Sequence, residues 1–140
     1  MDDLELDPAV AIDRLRRLAE QAAIIERPGF DFGHWAGSEK QPDGSITMPY
    51  FSFSPEAQAL VGAMPVEVFD WRKWSSTEEA RSFFADPSTV ADASPEQLIK
   101  LSTSLVRGDR FDEGALVGAV ESGLVAALAR RAAVLVRGAG

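Results

Sequence analysis

The sequence predicts a mainly α protein: about six helices in one compact domain, with a small two-stranded β-hairpin. Three observations carry this expectation. Apolar residues recur at helical spacing in several segments, for example Ala11, Leu15, Leu18, Ala22 and Ile25. A capping residue followed by proline, a strong helix start, occurs at Asp7-Pro8, Ser54-Pro55 and Ser94-Pro95. A single Pro42-Asp43-Gly44 turn divides an aromatic-rich segment that lacks helical periodicity.

Taken in order, the first helix opens at Asp7-Pro8 and ends before Arg27-Pro28-Gly29. Asp13 with Arg17 and Arg16 with Glu20 stand one turn apart on its polar side. A loop or short strand holding Phe30, Phe32, His34 and Trp35 follows. After the turn, Ile46 to Phe53 reads as a strand, with Pro49 restricting it to an edge or bulge. A two-stranded hairpin is marginal alone, so Tyr50, Phe51 and Phe53 are expected to pack it onto the helices. Ser54-Pro55 opens a second helix to about Met64. Ser75, Ser76 and Thr77 before Glu78 and Glu79 form a capping-box pattern for a third, which Pro87 ends after Asp86. Ser94-Pro95-Glu96-Gln97 starts a fourth, with Leu98, Leu101 and Leu105 facing the core and Gly108 as its stop. Asp109 is placed as the cap of a fifth helix reaching Ser122-Gly123, and a sixth runs from Leu124 to about Val136. Both are apolar on most faces and are expected to be central. The domain is taken as residues 1–140, with a core of about 7–137 and frayed ends.

Composition narrows the function classes. The 140 residues are 46% hydrophobic, which suits a folded chain. The absence of cysteine excludes disulfides, a thiol nucleophile and cysteine-ligated metals. A formal charge of −8 disfavours nucleic-acid binding, which would require a basic face from Arg14, Arg16, Arg17, Arg130 and Arg131. The most apolar stretch, Ala115 to Val136, carries Glu121, Arg130, Arg131, Gly118 and Gly123, so it reads as two buried helices and not a membrane span. Met1 to Asp7 is acidic, unlike a secretory leader, so a cytoplasmic protein is expected. Arginine outnumbers lysine and alanine and valine abound, which points to a GC-rich bacterial genome.

The most distinctive stretch is Thr103 to Gly123. Two readings use the same atoms. In the structural one, Arg107 complements a helix C-terminus, Asp109 caps the next helix, Arg110 pairs with Glu113, Phe111 plugs the corner, and Gly114 and Gly118 admit close helix approach. In the functional one, Arg107 and Arg110 bind an anionic ligand while Asp109, Glu113 and Asp70 contribute acid–base or polar contacts. Glu113 and Glu121 are too far apart for a glycosidase pair: eight residues of helix span about 12 Å, against a pair separation of about 5–9.5 Å. Arg107-Gly108-Asp109 also spells an adhesion tripeptide and is read as coincidence.

Other chemistry-bearing residues are few. His34 is the only histidine, with no triad or metal partners that can be placed around it. No phosphate loop, zinc-binding helix, nucleophile elbow or dinucleotide fingerprint is present, and no metal or cofactor is expected. Trp35 and Trp74 are candidates for a partner surface, while Trp71 is assigned to the core beside Phe69. Asp70 is either a cap or a partner for Arg107 or Arg110.

The succession Met48-Pro49-Tyr50-Phe51, Ser54, Phe69-Asp70-Trp71 with Trp74, Leu105-Val106-Arg107-Gly108-Asp109-Arg110-Phe111 with Glu113-Gly114, Glu121-Ser122-Gly123 and Arg130-Arg131 resembles a microbial family, domain of unknown function number 6508. The resemblance covers roughly Ile25 to Ala133. Val120 departs from it, standing where the family pattern has an aromatic residue, and the Met64 to Val68 loop is short. The resemblance brings no activity and implies only that the motif regions meet in one joint. The expected function is a non-enzymatic protein-interaction or self-associating module, acting through a protein partner or a homodimer. The alternative is a small-molecule, anionic-ligand or enzymatic site on Arg107–Glu113.

Overall fold

The computed structural model describes residues 4–37, 40–45, 49–109 and 114–139. Among these, the chain forms eight α-helices, one 3-10 helix and a two-stranded antiparallel sheet, so it is mainly α with a small hairpin. The helices are α1 (Pro8–Glu20), α2 (Ala22–Ile25), α3 (Pro55–Ala63), α4 (Trp71–Ser75), α5 (Glu78–Ala85), α6 (Pro95–Gly108), α7 (Ala115–Glu121) and α8 (Leu124–Ala139). The 3-10 helix is Pro87–Asp92, and the strands are β1 (Gly33–Ala36) and β2 (Tyr50–Phe53).

Local chemistry explains most helix starts. Asp7 accepts the Ala9 N–H at 2.9 Å, Ser54 the Ala57 N–H at 3.0 Å, and Ser94 the Gln97 N–H at 3.1 Å, each with proline next in sequence. At α6 the Gln97 side chain accepts the Ser94 N–H at 2.8 Å, completing a capping box. The box expected at α5 does not form. Its cap is Thr77, whose hydroxyl accepts the Ala80 N–H at 3.2 Å, and Glu79 is used elsewhere. Pro87 both ends α5 and opens the 3-10 helix, with Asp86 accepting the Ser88 N–H at 3.1 Å. The first helix is interrupted: the Gln21 N–H bonds Leu18 O at 3.0 Å, three residues back, which tightens the turn before α2. On α1, Asp13 pairs with Arg16 at 3.5 Å instead of the expected Arg17.

The core lies where α1, α6 and α8 meet. Leu15, Leu18, Leu98, Ile99, Leu101, Val125 and Leu128 are all fully buried there. Burial of each such side chain stabilises the fold by about 1.5–3 kcal/mol. The most extensive helix contact is between α1 and α8. α6 is buried more completely than its leucines predict, because Lys100, Ser102, Thr103 and Ser104 are buried as well. Thr103 donates to Ile99 O at 2.8 Å and accepts the Glu67 N–H at 3.1 Å, while Glu67 pairs with Arg14 of α1 at 2.9 Å. Gly123, with φ 86°, separates α7 from α8 in the left-handed conformation that glycine supplies. Gly118 does not serve a close helix approach: a Cβ there would meet nothing within 4 Å.

In the hairpin, Gly33 faces Phe53, His34 Ser52, Trp35 Phe51 and Ala36 Tyr50. The turn forms as expected, with the Gly44 N–H on Gln41 O at 2.9 Å. The Ser45 hydroxyl and N–H donate to the Asp43 carboxylate at 2.6 and 2.9 Å and hold its pKa below the ordinary value. Residues 46–48 of the expected strand lie outside the described residues, and Pro49 stands just before β2. Ser54 joins the hairpin to α3: besides capping α3, its hydroxyl donates to Asp31 O and its N–H to Phe32 O.

Candidate functional site

Strand alternation sorts the hairpin side chains. Trp35, Phe51 and Phe53 share one face, and His34, Tyr50 and Ser52 the other. On the first face, Phe51 stands edge-on to Trp35 at a centroid distance of 5.4 Å and to Phe53 at 5.2 Å, and Phe32 joins the cluster at 5.4 Å from Phe53. Such pairs add about 0.5–1.5 kcal/mol beyond their burial. Gly33 is required beneath this cluster, since a Cβ there would fall 2.1 Å from Ser52 O and 2.7 Å from the Phe51 ring.

The same tryptophan reaches the α6–α7 corner. The outer ring of Trp35 lies 3.5 Å from where a Cβ on Gly114 would stand, and Gly114 holds φ 103°, a left-handed conformation. Six residues earlier, a Cβ on Gly108 would lie 3.9 Å from the Trp71 ring. Two tryptophans therefore flank the corner, and hairpin and motif meet there. Trp71 is half-buried, with the Arg72 guanidinium 5.4 Å from its ring centroid.

Asp109 governs the chemistry of the corner. Its position closes α6, and its carboxylate accepts the Gly114 N–H at 3.3 Å and the Leu116 N–H at 3.1 Å. It thereby caps α7 from outside that helix, whose own N-cap, Gly114, has no side chain to do so. An anion already occupies the N-terminus that a bound ligand would use. Asp70 is exposed and caps α4, accepting the Lys73 N–H at 3.1 Å. Arg107 is half-buried and meets no carboxylate among the described residues. The readings placed on Arg110, Phe111 and Glu113 lie outside the described residues.

Two aromatic expectations are corrected. Trp74, a candidate for the partner surface, is only 6% exposed, and its indole N–H donates to Glu79 at 3.0 Å. Glu79 also accepts from Gln97 at 2.6 Å, so it ties α4, α5 and α6 together. Tyr50, expected to pack the hairpin onto the helices, is 49% exposed, while Trp35 is 51% exposed. The signal for Tyr50 was present in the alternation of β2, which sets it opposite to Phe51 and Phe53. Of the arginines that would form a basic face, Arg14, Arg16 and Arg130 are paired with Glu67, Asp13 and Glu26.

Among the described residues, no helix is long and apolar enough to cross a membrane, and no three histidine, aspartate or glutamate side chains gather to hold a metal ion. The family model described as "Family of unknown function (DUF6508)" matches residues 10–138. The chain belongs to that family. No curated protein and no solved structure matches it.

Proposed function

We propose that this member of the DUF6508 family is a non-enzymatic interaction module, engaging a protein partner or a second copy of itself through the hairpin rim at Trp35 and Tyr50. The observation that carries the reading is the state of Trp35. It is half exposed, yet its indole is held by Phe51 and Gly114. A large aromatic side chain that is already ordered loses little entropy on contact, which is why tryptophan and tyrosine dominate binding hot spots. Among the described residues the ribbon has two strands, so each keeps one edge without a strand neighbour there. The alternative, an anionic-ligand site on the Arg107–Glu113 motif, has less support, because the Asp109 carboxylate is committed to α7.

The test places a photo-crosslinking phenylalanine at position 35 or 50 and follows sedimentation of the parent chain and of Trp35→Ala and Tyr50→Ala. The expected result is cross-linking to one defined protein, or a concentration-dependent dimer, that either substitution weakens about tenfold or more. A chain that stays monomeric and cross-links to nothing from either position would overturn the reading.

A further inference from the structure

A second surface, sharing no residue with the hairpin, has the chemistry of a small-ligand site. The 3-10 helix and α8 border an open cleft of about 200 Å³. Pro87 and Ala91 line it from one side and Ala127 and Val134 from the other, with Arg130 and Arg131 beside them. Val134 is 47% exposed, so apolar surface stands open to water there.

Both arginines are anchored through Nε. Arg131 donates from that atom to Ala93 O at 2.8 Å, and Arg130 pairs through it with Glu26. An anchored guanidinium has a fixed plane, so its terminal nitrogens present a preorganised fork. The charges differ in their compensation. Glu26 neutralises Arg130, whereas Arg131 meets a neutral carbonyl and no carboxylate among the described residues. In a chain of net charge −8, Arg131 is thus a half-buried cation beside an apolar cleft with its charge locally uncompensated.

We propose that this cleft binds a small monocarboxylate with an apolar body, of the size of benzoate or hexanoate. One uncompensated guanidinium suits one carboxylate, which it can meet through two parallel N–H donors. Ala91, Ala127 and Val134 cover the apolar body. The volume is below the roughly 300–1,000 Å³ of drug-sized sites, so the ligand is a small acid.

The experiment titrates the full ¹⁵N-labelled chain with benzoate, benzyl alcohol or acetate and follows amide shifts. Benzoate is expected to give saturable shifts at Ala91, Ala127 and Val134, with each comparison compound at least about tenfold weaker because it lacks the charge or the apolar body. Arg131→Ala should weaken benzoate binding about tenfold or more. That substitution also releases Ala93 O, so Ala127→Leu provides the independent variant: it fills the cleft, leaves both arginines in place and should abolish the shifts in a chain whose remaining spectrum is unchanged. Absence of saturable shifts, equal binding of benzyl alcohol, or undiminished binding by Ala127→Leu would overturn the proposal.

Discussion

Removing the Asp109 carboxylate should loosen α7 and the tryptophan seated on its first turn. In Asp109→Ala, the N–H groups of Gly114 and Leu116 lose their acceptor, and α7 has no other side-chain cap. A lost N-cap costs about 1 kcal/mol, and loss of a negative charge at a helix N-terminus about 0.5 kcal/mol more. The sum is about 1.5 kcal/mol, or with a urea dependence of about 2 kcal/mol per molar, a midpoint lower by about 0.7 M. Asp109→Asn keeps a carbonyl acceptor and should lose only the charge contribution, about 0.5 kcal/mol. Urea unfolding followed by far-ultraviolet circular dichroism measures both, and amide exchange at Leu116 reports the local opening. If Asp109→Ala unfolds within about 0.3 kcal/mol of the parent, the reasoning is wrong and the carboxylate is not what holds α7.

Two further outcomes follow from contacts described above. Glu79→Ala strips the buried Trp74 indole N–H of its acceptor and should cost about 1–3 kcal/mol by urea unfolding; the double variant with Trp74→Phe should cost less than the sum of the two single substitutions, and purely additive costs would show that the two side chains are not coupled. Asp43 should titrate below its ordinary pKa in a carboxyl ¹³C experiment, and Ser45→Ala should move it upward. Because the folded value is depressed, the support this carboxylate gives the turn is present above its ordinary pKa and is lost as pH falls through the lowered one. An unchanged titration in Ser45→Ala would show that the hydroxyl is not the cause.

What could be read from the chain was what neighbouring residues decide. Asp7-Pro8, Ser54-Pro55 and Ser94-Pro95 place three helix starts because cap and proline act within one turn of backbone. The mainly α fold with its hairpin followed from the same kind of signal. α4 escaped because five residues, Trp-Arg-Lys-Trp-Ser, are too few to show a period. The 3-10 helix escaped because Pro87 reads equally as an end and as a beginning. Site residues were harder. Trp35 and Trp74 look alike in sequence, and only tertiary contact separates them: one meets Gly114 at the surface, the other turns inward to Glu79. The cleft beside Arg131 joins segments some forty residues apart, and no local pattern announces it.

The seam between α1 and α8 also bears on how the chain matures. Translation delivers Leu15 and Leu18 long before Val125 and Leu128, the residues that cover them. Until then, the amphipathic first helix has an oily stripe with nothing to cover it, an invitation to chaperones and to mispairing with other nascent chains. Closure of the central core therefore waits until α8 has been made and can pack on α1.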